Sequence, residues 1–267
     1  MAENLHEAGS HPAAVGPAPP VEETPRRGPW GFWPTLGLSL VIVMAYTAAQ
    51  VAVAAAFTVP AVIRDRDIDI EAFAEELMHT GLFWSAAICA AAPITIGLTL
   101  LCAAARRGIA TGDYLALRRP GGRTIAMWCL IQLAFIACTD GATYLIRGRI
   151  VPAFMVDVYR TAQFVPLLWF ALVLVAPVTE ELLIRGFLFR GIERSRLGPA
   201  GAIVLSALGW AALHTQYDLF GIFTIVLGGL LLGYARLRSQ SLYVPIAMHI
   251  VQNIVATLEV MIYVSAR

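Results

Sequence analysis

Seven largely uncharged apolar runs, each of the order of the 20 residues that a helix needs to cross a bilayer, follow one another along this chain. They cover about 33–63, 82–105, 124–146, 163–187, 199–217, 219–235 and 242–264. In hydrocarbon every backbone N–H and C=O must find its partner within the protein, and segments of this length do so as α-helices. The fold class is therefore all-α, a polytopic transmembrane helical bundle of about seven spans, within a range of six to eight. The fifth and sixth runs are the shortest and only Asp218 separates them, so one of the two is a candidate re-entrant element. The first is long enough to tilt, or to kink or break before Pro60.

Composition excludes the alternatives. Of 267 residues, 58% are hydrophobic and 14% charged, and the mean hydropathy is +0.71, far too apolar for a soluble domain of this size. The lipid bilayer is the expected partner of most of the surface. A net charge of +1 gives no electrostatic footprint for nucleic acid. All nineteen basic side chains are arginine. The four cysteines, Cys89, Cys102, Cys129 and Cys138, fall inside apolar runs with no metal-ligand spacing and read as small buried hydrophobes.

Two domains follow. Residues 1–29, rich in Pro and Ala, read as a disordered cytoplasmic tail, and 30–267 as the membrane domain. Twelve arginines fall in the tail and in the loops 106–123, 190–198 and 236–241, against six on the opposite side. The positive-inside rule then predicts a cytoplasmic N-terminus, in a multi-pass protein of a bacterial inner membrane. The acidic stretch 64–80 carries Phe73, Leu77 and Met78 at helical spacing, which predicts a short amphipathic helix on the outer surface.

Ionisable groups inside spans are costly and mark function by default. Glu180 and Glu181 follow fifteen uncharged residues, Val165 to Thr179. Glu181 stands four residues before Arg185, the spacing and order of an intrahelical ion pair. Glu180 points about 100° away and is left without a local partner. A buried, unpaired carboxylate holds its proton more tightly than in water, which suits a general base. His214 lies one turn after Trp210, and His249 one turn before Asn253. The last two share a helix face and could present two donors to one point, as a developing oxyanion requires. Counted along straight helices, His214 lies about 10 Å deeper than His249, a mismatch that a late-entering or tilted fifth helix would remove. Asp140 reads as a structural acid, near Arg185 or hydrated. Gly228, Gly229 and Gly233 read as a close-packing stripe.

These residues fall into three ordered motifs: EExxxR at Glu180, Glu181 and Arg185; an aromatic-xxxH at Trp210 and His214; and HxxxN at His249 and Asn253. The ordered triplet resembles the CPBP family of intramembrane proteases, the CAAX proteases and bacteriocin-processing (Abi) proteins, over about residues 170–257, with weaker similarity in DYLALRRP before the third span. The family's usual Phe is replaced by Trp210, for which a packing role is expected. The resemblance implies an intramembrane endopeptidase acting on a membrane-associated peptide or protein, lipidated in some relatives. Glu180 and His214 would activate water, His249 and Asn253 would hold the oxyanion, and Glu181 and Arg185 would support them. No cofactor is expected; the alternative is zinc on Glu180, His214 and His249, a two-histidine, one-carboxylate set. Two other readings compete. One is a non-catalytic immunity or partner-binding membrane protein that uses the polar cluster to lock helices. The other is a small transporter, disfavoured by the lack of paired broken helices.

Overall fold

The computed structural model describes residues 28–267, so the tail expected at 1–29 lies outside the described residues but for its last two. Ten helices and no strand occur among the described residues: α1 Phe32–Arg64, α2 Ile70–Met78, α3 Gly81–Ala104, α4 Thr111–Tyr114, α5 Gly122–Arg147, α6 Ala153–Arg160, α7 Val165–Glu193, α8 Gly198–Ala211, α9 Leu219–Ser239 and α10 Tyr243–Ser265. Six of them, α1, α3, α5, α7, α9 and α10, are long and apolar enough to cross a membrane. The chain is a polytopic helical bundle and reads as a multi-pass membrane protein.

The difference from seven full spans lies at the fifth run. Helix α8 has 14 residues, about 21 Å of rise, where a bilayer core asks for about 30 Å. It stops at Ala211, and residues 212–218 continue as turns closed by Leu213 N–H to Trp210 O, His214 N–H to Ala211 O and Tyr217 N–H to His214 O. Asp218 then meets Arg147, at the end of α5, with 2.7 Å between Oδ2 and Nη1. Irregular backbone inside a bilayer is tolerated where protein buries it or a polar cavity takes it up. Here Gln216, Tyr217 and Asp218 line a cavity of about 480 Å³.

Helix α7 is irregular in a different way. Its turns widen to π-helix over Phe170–Val175 and again over Leu182–Leu188, on either side of the α-helical turn Ala176–Glu181. Pro177 explains part of this. The Ala176 N–H reaches back to Ala171 O, and the next residue has no N–H, so Leu172 O is left without a donor from its own helix.

Helix α1, by contrast, runs unbroken through Pro60; one missing hydrogen bond a turn from its end does not break it. The amphipathic helix expected in 64–80 is α2, capped by Asp69, whose carboxylate accepts from Ala72 N–H. Leu77 and Phe73 pack with Phe83 and Ala87 of α3, while Met78 is exposed. A second short helix, α6, lies against α3: the Thr161 hydroxyl accepts from Gly81 N–H at 2.8 Å, and a Cβ on Gly81 would strike Val158 O. Cys89, Cys102 and Cys129 are half-buried, and Cys138 is exposed rather than buried, so the apolar setting of that thiol is lipid.

The small residues of α9 do what their spacing suggests. A Cβ on Gly229 would lie 3.0 Å from both Cα and Cβ of Ala207 and 3.2 Å from the Trp210 ring, and one on Gly233 would lie 3.4 Å from Ile203 Cα. Their absence lets α8 and α9 cross almost backbone to backbone and brings the end of α8 against α7.

Candidate active site

Glu181 and Arg185 form the predicted ion pair, with Nη1 2.7 Å from Oε1 and both side chains fully buried. The same Oε1 lies 3.0 Å from His249 Nδ1. A carboxylate only accepts, so His249 donates from Nδ1. The orphaned end of Arg185 finds Gly229 O at 3.3 Å, a carbonyl within reach because α9 comes so close. Two charges taken out of water need this density of partners, since the desolvation cost otherwise exceeds their attraction. Further along, Arg236 of α9 donates from Nε to Arg185 O at 3.2 Å, which clamps the second widened turn.

Glu180 takes its partner from another helix rather than from its own. Its Oε2 accepts the Trp210 indole N–H at 2.6 Å and stands 4.0 Å from His249 Nε2. That gap is too long for a direct hydrogen bond and suits a bridging water or an oxygen of a substrate. The Glu180 side chain keeps 24% of its surface exposed while Glu181 has none. Adjacent residues thus divide the work, one locked in the core and one open to a reactant.

His214 sits in the turn after α8, where its Nδ1 lies 2.9 Å from Trp210 O. A carbonyl also only accepts, so the neutral ring carries its proton on Nδ1 and leaves the Nε2 lone pair free. The Trp210 ring meets both imidazoles edge to face, with centroids 5.0 Å from His214 and 5.1 Å from His249, which holds the histidines within about 10 Å of each other. The two histidines thus meet at one indole, although they stand at different distances along their own helices.

Asn253 departs from the expected convergence with His249. Its amide donates to Leu172 O at 2.7 Å, the carbonyl that Pro177 orphans, and His249 donates to Glu181. The two side chains share a face of α10, but their observed hydrogen bonds point to different partners on α7. One N–H of Asn253 remains uncommitted, since the amide carries two. Asp140 does not approach Arg185, which is committed to Glu181; it lines the 480 Å³ cavity together with Glu259.

Three contributors were missed in the sequence: the Trp210 N–H, the Leu172 carbonyl, and Tyr217. Tyr217 packs edge to face on Phe154 of α6, with ring centroids 5.0 Å apart, and so is held beside His214. Pro177 was the visible signal for the orphaned carbonyl. Nothing local marks the other two, because their partners lie 30 or more residues away. As for a metal, no three His, Cys, Asp or Glu side chains among the described residues are grouped to hold an ion.

The bundle and its cluster define a class: a multi-pass helical membrane protein with a carboxylate and two histidines gathered around an indole. Residues 162–255, from just before α7 to just past Asn253, match the family model described as Rce1-like, type II CAAX prenyl endopeptidase. No curated protein and no solved structure matches the chain.

Proposed function

We propose that this protein is an intramembrane endopeptidase that cleaves a peptide bond in a membrane-associated substrate with water activated by Glu180 and His214. One observation carries the reading: Glu180, partly open, faces the free nitrogen of His249 across 4.0 Å while Glu181, fully buried, holds the other nitrogen. A structural lock would close that gap; a hydrolytic site needs it. The family match over the same residues supports the reaction class.

In this reading Glu180 takes a proton from water as the oxygen attacks the carbonyl, and later passes it to the leaving amine. The lone pair on His214 Nε2 orients that water. His249 Nε2 and the uncommitted N–H of Asn253 receive the oxyanion. No metal takes part. The arginine distribution orients the N-terminus to the cytoplasm, and residues 30–267 form one membrane domain.

A competing reading, a non-catalytic immunity or partner protein, draws on the engagement of Asn253 with Leu172 O, which is a helix lock. The test separates them. Membranes carrying the natural chain or Glu180→Gln are compared for released peptide fragments by mass spectrometry, each with and without a chelator. Fragments that survive chelation and fall by at least about 100-fold in Glu180→Gln, at unchanged thermal stability, support the protease. Equal fragment patterns sink it.

A further inference from the structure

The aromatic that precedes His214 in this chain is tryptophan, and the structure gives it work that phenylalanine cannot do. Trp210 is fully buried, yet it touches four ionisable members of the cluster. Its N–H reaches Glu180 Oε2 at 2.6 Å, its carbonyl takes Nδ1 of His214, and its ring edges meet His214 and His249. The Arg185 guanidinium carbon lies 4.7 Å over the ring. Room for the larger ring exists because α9 presents Gly229, where a Cβ would stand 3.2 Å from Trp210 Cε3.

We propose that Trp210 is a positioning residue of the hydrolytic centre, whose indole N–H holds Oε2 of Glu180 and so makes Oε1 the oxygen that receives the proton from water. This rests on the hydrolytic reading above. An indole N–H donates and never accepts. A carboxyl proton on Oε2 would weaken that bond, whereas a proton on Oε1 leaves it in place. Donation to a carboxylate also favours its ionised, basic form. The carbonyl of the same residue sets the tautomer of His214, so one residue arranges both groups that act on the water.

The experiment replaces the N–H while keeping the shape. Trp210→Phe is compared with benzothienylalanine at the same position, an analogue with sulfur where indole has N–H, which guards against a variant that simply misfolds. In both, kcat/KM falls about 10-fold at the acid side and the acid limb of its pH profile moves up by about one unit, with KM little changed. If the analogue keeps the natural profile while Trp210→Phe slows uniformly, shape alone matters and the proposal is overturned. A readout independent of activity is the indole N–H resonance of Trp210 in isotope-labelled protein, expected to move upfield in Glu180→Gln; an unmoved resonance overturns the contact. Absence of any hydrolysis by the natural chain removes the protease reading and this role with it. Glu180-dependent hydrolysis with an unmoved acid limb removes the Trp210 role alone.

Discussion

Helices α1 and α7 have the same mean hydropathy, 2.0 over their most apolar windows, yet 6% of that window is buried in α1 and 44% in α7. Both are long and both carry an internal proline. What separates them is what each has to hide. The buried residues of α1 are Thr35, Ser39 and Ile42, a narrow stripe that seats on its neighbours; Thr35 packs into the space left by Gly191 of α7. Leu40, Val41 and Met44 face outward, where lipid satisfies them as well as protein would. Helix α7 carries two carboxylates and an arginine that lipid cannot satisfy, so α3, α8, α9 and α10 close around it. In a bilayer apolar residues do not drive helices together; polar ones that need partners do.

That contrast can be broken by substitution. The largest effect is expected from Arg185→Leu, which strands Glu181 in the core and should cost about 3–5 kcal/mol, seen as a collapse of thermal stability in detergent or nanodiscs. Leu40→Ala on the lipid face of α1 should change stability by less than about 0.5 kcal/mol. Comparable losses at the two positions would show that the buried polar cluster is not what organises the bundle.

A smaller effect, about 1–3 kcal/mol, is expected from Gly229→Val, whose added carbons have nowhere to go between α9 and α8. Because Gly229 O also serves Arg185, hydrolysis should suffer along with the melting temperature. Smaller still is Asn253→Ala, at about 1 kcal/mol for the lost bond to Leu172 O. If Pro177 is what orphans that carbonyl, Pro177→Ala restores a backbone donor and Asn253→Ala should then cost less. A double-mutant cycle reads the coupling directly, and strict additivity would refute the account of the widened turn.

The smallest effect concerns an exposed pair. The hydrogen bond from Arg147 holds the Asp218 carboxyl below the usual carboxylate range. A carboxyl whose folded pKa is depressed stabilises the fold above its unfolded value of about 4, and the contribution fades as pH falls through the folded value. Melting temperature against pH should therefore steepen below about pH 4 in the natural chain relative to Asp218→Asn, and added salt should shrink the difference.

Much of the molecule was legible as sequence. The all-α membrane class, the approximate span boundaries, the Glu181–Arg185 pair and the glycine stripe of α9 all follow from patterns within one helix, where spacing translates directly into neighbours. The six spans fall within the expected six to eight; the run 199–217 reads as one segment although α8 ends at Ala211, because hydropathy reports what lipid tolerates and not where backbone bonds stop. Trp210 does pack in the core, but its hydrogen bond was missed for a related reason. Its partner Glu180 is on another helix, and an indole N–H carries no sign in the sequence of what it will meet.

The sequence by itself determined which residues must be buried, because uncompensated charge in hydrocarbon is too costly to leave to lipid, and so it singled out α7, His214, His249 and Asn253. Only the tertiary structure decided how they divide the work: which glutamate is locked and which is open, which nitrogen of each histidine is free, and that Asn253 ties down a carbonyl. Those assignments depend on hydrogen bonds a few ångströms long between helices far apart in the chain, and such distances are set by helix crossings rather than by residue spacing.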